Sequence, residues 1–366
     1  MLNLLVSLAL FWPLLQATPP VAPYKALSKF WDPAGTVASG VSPVVAVATC
    51  PASQPDAGSL IVADSTGRVA ELKHTGNGWT TVRTMRVDEP ISALCTAAPH
   101  MDRVWRVYIG TKSGRVLELS RGELGWITVE IAKVTGPVMN MQGTDPGLAG
   151  VSQVFAVDAK GSVTNLWLTE TDKWVTRPLP DVPGGTSEVC FDYGRDGVVA
   201  ITSGSSGVIH KWLQDSTGHW KGTPWATMPA GALDMAASAD PTMKDIAVYY
   251  SGQDGLFRYL FFGRTTDEDA RIPVAGGSTL VIGKGPQRRF NEFFAMSGED
   301  FCLFEFNFSS REWDKVILKT IPSKVVSTAF GPGRGEQMSQ VYAVSVDGTV
   351  YEFTRRDEEA EGESRK

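Results

Sequence analysis

An all-β ring of seven four-stranded antiparallel blades, a β-propeller closed by strands from both ends of the chain, is the fold this sequence predicts. Three observations predict it. A glycine turn recurs about every 47 residues, a tryptophan recurs at the same period, and the stretches between them are patterned as strands with no helical period.

The glycine series runs through Gly67 in DSTGRVAEL, Gly114 in TKSGRVLEL, Gly161 in DAKGSVTNL, Gly207 in SGSSGVIHK, Gly255 in SGQDGLFRY and Gly348 in SVDGTVYEF. SGEDFCLFE carries Phe301 at the glycine position. The tryptophan series is Trp31, Trp79, Trp126, Trp174, Trp220 and Trp313. Its last gap spans two periods, so the unit near Asp267 has lost its tryptophan.

Each unit has the same elements in the same order. A β-branched or alternating run such as RVYIG or VFAVD reads as a strand. The glycine turn follows, because tight hairpins need a positive φ. A second run (RVLEL, TVYEF) completes the hairpin. A third strand opens at the tryptophan, and a mostly apolar fourth (SPVVAVATC, EPISALCTA, GPVMNMQG, SKVVSTAFG) closes the unit. Four strands at this period are a propeller signature. The last unit stops after two strands, at Phe353. Residues 26–50 supply a Trp31 strand and an apolar strand with no turn before them. Together these make one blade, and sharing it between the termini leaves no open sheet edge. The propeller is expected to span residues 24–354, its tryptophans packed between blades.

The flanks read differently. Residues 4–15 form an apolar run of signal-peptide length, and Ala17 is a small residue at a cleavage position, so residues 1–17 read as a signal peptide and the protein as secreted. No other stretch is apolar for the length a membrane span needs. Residues 355–366 are charged without an apolar face and read as a disordered tail. Asn307-Phe308-Ser309 is a glycosylation sequon, relevant only to a secreted chain.

Charge narrows the partners. The net charge of -6 argues against nucleic acid, which calls for a surplus of Lys and Arg. The four cysteines (50, 95, 190, 302) fit neither a disulfide scaffold nor a zinc pattern. A Cys50–Cys95 bridge between neighbouring blades and buried free thiols are the two readings, the second preferred.

One segment resembles a known family. Arg106-Val107-Tyr108, Gly114, Glu118 and Gly125-Trp126 are similar to the blade of the fungal fucose-specific lectins, which are propellers. In that family the Arg and Glu grip sugar hydroxyls, and an aromatic from the next blade stacks on the sugar. The resemblance assigns those roles to Arg106, Glu118 and Trp167. A guanidinium and a carboxylate can together donate to and accept from vicinal hydroxyls. The sequence departs from the family in two ways. The charge pair stands in one blade only, its counterparts being Ser59/Glu71, Gln153/Asn165 and Gln340/Glu352, and the family has six blades. A weaker resemblance to WD40 repeats rests on SGSSGVIHKWLQDSTG; the Gly-His signature is missing, and Trp31-Asp32 and Trp313-Asp314 sit in the wrong strand. The plain alternative for Arg106 and Glu118 is an ion pair facing across the hairpin, contributing roughly 0.2–1 kcal/mol.

Catalytic and metal chemistry leave few traces. His74, His100, His210 and His219 have no metal-ligand spacing, and no nucleophile elbow, phosphate loop or Asp-box is present. Glu188, Asp192 and Asp234 fall in fourth-strand segments and could line the channel as an acid pair or as plain polar lining. Lys284, Arg288 and Arg289 form a basic loop on an acidic protein. The leading expectation is therefore a secreted, non-enzymatic, cofactor-free propeller that binds glycans or glycoproteins, with fucose-like sugars favoured by the resemblance. A protein-interaction scaffold comes second and a glycan-processing enzyme third.

Overall fold

The computed structural model describes residues 35–37, 40, 43–49, 59–75, 78–97, 106–122, 125–143, 153–169, 171–186, 188–194, 197–215, 217–227, 232–239, 246–252, 257–262, 267–271, 283–284, 292–307, 312–332 and 339–355. Trp31, Cys50, His100, Arg288, Arg289, the segment read as a signal peptide and the tail beyond Arg355 lie outside them. All 28 elements among the described residues are β-strands, arranged as seven four-stranded antiparallel sheets.

The short strand β1 (Gly35–Thr36) comes first in the chain but belongs to the last blade. Blade 1 is β2 (Val44–Thr49), β3 (Ser59–Asp64), β4 (Arg68–Thr75) and β5 (Gly78–Arg86). Blade 2 is β6 (Ile91–Thr96), β7 (Arg106–Thr111), β8 (Arg115–Gly122) and β9 (Gly125–Lys133). Blade 3 is β10 (Val138–Gly143), β11 (Gln153–Asp158), β12 (Val163–Leu168) and β13 (Trp174–Pro178). Blade 4 is β14 (Glu188–Gly194), β15 (Gly197–Ser203), β16 (Val208–Gln214) and β17 (Trp220–Thr227). Blade 5 is β18 (Ala232–Ala239), β19 (Ile246–Gly252), β20 (Phe257–Phe262) and β21 (Asp267–Arg271). Blade 6 is β22 (Gly283–Lys284), β23 (Glu292–Ser297), β24 (Asp300–Asn307) and β25 (Glu312–Thr320). Blade 7 is β26 (Val325–Pro332), β27 (Ser339–Ser345), β28 (Val350–Arg355) and β1.

The ring closes as the sequence predicts, through β1 on β28, with Gly35 opposite Glu352. One detail of the reading is corrected. The apolar fourth strand does not close its own unit but opens the next blade, as β6 pairing with β7 shows. Only β1 therefore crosses from the N-terminal segment into blade 7, and β2 opens blade 1.

The core lies between the blades. Seven buried apolar clusters each join two neighbouring blades, one per interface. The described tryptophans of the repeat pack there as expected. Trp79, Trp126 and Trp174 border three of the clusters, and Trp220 and Trp313 belong to two others. A sheet with both faces covered in this way reads as the near-continuous apolar runs seen in the sequence, such as the fully buried Ser59–Asp64.

The glycine series has a backbone cause. Gly67 and Gly114 take φ of +96° and +90°. A Cβ on Gly67 would sit 2.5 Å from the Val87 carbonyl oxygen, and one on Gly114 would sit 2.4 Å from that of Gly136. The turn is pressed against the connection that enters the next blade, and Val87 N–H donates to Gly67 O at 2.8 Å. In blade 6 the expected position is corrected: the turn glycine is Gly298, at φ +66°, and Phe301 is a fully buried strand residue. That hairpin is tighter, with Ser297 paired directly to Asp300.

Hydroxyls link the inner strands around the channel. Val47 N–H donates to Ser327 Oγ (3.3 Å), Thr96 Oγ1 to Thr49 O (3.1 Å) and Ser92 Oγ to Val138 O (2.7 Å). Each link crosses a blade interface and satisfies an inner-edge backbone group that no fifth strand covers.

Cys95 and Cys302 are free and buried. Burial pushes both thiols up, that of Cys302 to about 12, so they stay protonated and unreactive at neutral pH. A Cys95 thiol in this state matches the preferred of the two cysteine readings.

Candidate functional site

Arg106 opens β7 and Glu118 lies in the middle of β8. They do not face each other directly: Glu118 pairs with Tyr108, and Arg106 pairs with Ser120. The hairpin is centred one residue later than equal spacing from residue 112 would place it, so the two side chains meet on the diagonal of one face. Arg106 Nε donates to Glu118 Oε1 at 3.1 Å, and each side chain keeps only 11% of its surface.

The aromatic that reaches this pair from blade 3 is Trp174, not Trp167. Trp174 Nε1–H donates to Glu118 Oε2 at 2.8 Å, and its ring meets Tyr108 edge-on, 5.5 Å between centroids. Trp167 lies further along blade 3 under the Arg177 guanidinium, 4.5 Å from its ring centroid. Arg177 in turn donates to Thr217 O of blade 4 at 2.8 Å. Trp167 is partly exposed and shares the face of blade 3 that carries Val163 and turns toward blade 4, opposite the face from which Trp174 reaches the charge pair.

The trio is one instance of a repeated node. Between blades 7 and 1, Gln340 Nε2 donates to Glu352 Oε1 while Trp79 Nε1 donates to Glu352 Oε2 at 2.9 Å. Trp79 meets Tyr342 edge-on, as Trp174 meets Tyr108. In blade 1, Ser59 Oγ donates to Glu71 Oε1 (3.4 Å), with Arg83 3.7 Å from the other oxygen. In blade 3, Asn165 Nδ2 donates to Gln153 Oε1 (3.4 Å). The four residue pairs aligned in the sequence thus form four hydrogen-bonded pairs. Ser59, Gln153 and Gln340 are buried, as are Glu71 (1% exposed), Asn165 (0%) and Glu352 (3%), whereas Glu118 retains 8% and Arg106 is only partly buried.

The node between blades 3 and 4 is incomplete. Trp220 packs edge-on against Phe155 in the usual way. Yet its Nε1–H and the Oδ1 of Asn165, both buried, have no partner among the described residues. Asparagine is one methylene shorter than the glutamate found at the other nodes. Asn165→Gln restores the reach without adding charge and is expected to stabilise the protein by about 1 kcal/mol. The check is an upward shift of the urea midpoint; a downward shift would mean the longer amide does not fit.

The remaining interfaces replace the node. The positions paired with Ile201, Tyr249 and Phe294 are Lys211, Tyr259 and Leu303. Lys211 points its ammonium over Trp225 of its own blade at 5.2 Å, and the blade that follows carries no tryptophan in β21. Acceptor and donor were lost together at that interface. Between blades 5 and 6 an aromatic cluster of Tyr249, Phe257, Phe293, Phe304 and Trp313 takes over.

Sequence reading missed Trp174 because it treated the tryptophans as a ruler separate from the charges. The signal was present: Trp174 follows Glu118 by 56 residues, and Trp126 and Trp220 follow Glu71 and Asn165 at nearly the same distance.

The other candidates stay apart. His210 stacks on Trp212 at 5.9 Å, and His219 accepts or donates a hydrogen bond with Thr217. Among the described residues no three His, Cys, Asp or Glu side chains gather at metal-binding distance. Asp234 lines the channel and accepts from Met235 N–H at 2.8 Å. The side chains of Glu188 and Asp192 lie outside the described residues, as does that of Lys284. No protein-family model and no curated protein matches this sequence.

Proposed function

We propose that this propeller is a non-catalytic carbohydrate-binding protein whose sugar site is the node between blades 2 and 3. The observation that carries the reading is the contrast among equivalent nodes. Three carry a short or neutral residue at the Arg106 position; this one places a guanidinium there, 3.1 Å from the carboxylate, with 11% of each side chain still exposed. A sugar hydroxyl entering there meets a planar donor fork, a carboxylate acceptor and an indole N–H within one hydrogen-bonded group. Trp174 supplies the aromatic surface that borders the pair. Fucose-like sugars are the favoured ligands, on the likeness of this blade to the fucose-specific lectins. Glycoproteins are the natural bearers of such sugars, and the apolar run at residues 4–15 suits a protein exported to meet them.

The test is a glycan array with wild type and Arg106→Gln. Glutamine is what Gln153 and Gln340 place at the same position, so the variant is expected to fold. Loss of the guanidinium is expected to weaken glycan binding about tenfold or more, as loss of a charge-assisted hydrogen bond does. A blank array with wild-type protein would sink the reading, and proteins co-purifying with it would favour the scaffold alternative.

A further inference from the structure

The central channel lies apart from the node and opens into a cavity lined by the inner strands. Arg106 stands beside the Thr96 end of β6, where Thr96 pairs with Val107. The opposite end of the inner strands behaves differently. There β2, β6, β10, β18 and β26 each carry an extra residue opposite one partner, between Val44 and Ala46, Ile91 and Ala93, Val138 and Asn140, Ala232 and Asp234, and Val325 and Ser327. These are β-bulges at one position of the repeat. A bulge re-aims a side chain at a rim.

On four consecutive blades the re-aimed residues are Val326, Val45, Ser92 and Met139. All four line a channel cavity of about 510 Å³. Met139 is 61% exposed and Val326 40%, and Val45 is partly exposed. Folding gains nothing from turning a methionine and two valines outward by a bulge when the strand could have buried them.

Lys324 stands at the same mouth and lines the same cavity. Its position is held by Pro43, Pro90 and Pro137 in blades 1 to 3. The backbone role is shared: Val346 N–H donates to Lys324 O at 2.7 Å, as Lys112 N–H donates to Pro90 O at 3.0 Å. The fold therefore does not require a lysine side chain there. Among the described residues no carboxylate forms an ion pair with it.

We propose that the bulged mouth of the channel binds an aliphatic carboxylate, its chain held by Val45, Met139 and Val326 and its carboxylate by Lys324. The volume of the cavity is within the range of small-molecule sites. The experiment is calorimetric titration of the full chain with octanoate and with octanol. Wild type is expected to bind octanoate saturably and to prefer it over octanol. Lys324→Pro, which copies the sister blades, is expected to keep the wild-type melting temperature and to bind octanoate about tenfold more weakly. Val326→Ser, which copies Ser92, is expected to weaken both ligands. Absence of saturable octanoate binding by wild type, equal affinity for octanol, or octanoate binding unchanged in either variant would overturn the proposal. Glycan binding is unaffected by either variant on this account, so the two sites stand or fall separately.

Discussion

Glu118→Ala is expected to destabilise the protein by about 3–5 kcal/mol, the cost of removing one partner from a buried ion pair. The carboxylate receives Arg106 Nε on one oxygen and Trp174 Nε1 on the other. Truncation removes both acceptors at once, from a guanidinium with 11% of its side chain exposed and an indole locked by packing against Tyr108. Because Trp174 belongs to blade 3, the loss falls on the joint between blades as well as on the hairpin. Glu118→Gln keeps an acceptor for one donor and should cost clearly less. Urea unfolding of both variants beside wild type is the measurement. A Glu118→Ala midpoint indistinguishable from wild type would mean that water replaces the carboxylate freely and that the node holds nothing together.

Phe293→Ala is expected to cost a similar amount, about 3–5 kcal/mol, through a different mechanism. Phe293 is fully buried and stacks on Tyr249 at 4.6 Å and on Phe304 at 4.8 Å. Phe257 and Trp313 meet it edge-on at 5.5 and 5.6 Å. Removing the ring opens a cavity bounded by four aromatic side chains, which cannot collapse without leaving their own packing positions. Phe293→Leu keeps part of the volume and should cost less than half as much. No ionised group takes part, so the deficit should be the same at low and high salt. A Phe293→Ala deficit that changes with salt would remove the distinction between polar and aromatic interfaces.

That distinction was only half legible in the sequence. The glycine turns, the tryptophans and the alternating runs follow from local backbone geometry, so they repeat along the chain and can be counted. Pairing Ser59 with Glu71, Gln153 with Asn165 and Gln340 with Glu352 was also within reach, since each pair spans a single hairpin. The sixth turn was misplaced at Phe301 because its hairpin is shorter, and a period applied rigidly steps over Gly298. The apolar strand was assigned to the unit before it because a period alone has no phase. Only pairing, β6 with β7, tells which hairpin it joins.

By itself, then, the sequence determined the seven-bladed ring, its antiparallel strands and its closure by the two ends of the chain. These depend on residues close together in a repeat, where turn chemistry and strand patterning act over a few positions. The tertiary structure alone decided that Trp174 rather than Trp167 meets Glu118, that Trp79 meets Glu352 across 273 residues, and that Lys324 stands at the bulged mouth of the channel. The physical reason is that such contacts depend on how one twisted sheet lies against the next once the ring is closed. That angle is set by all the side chains of an interface together, and no short stretch of the chain contains it.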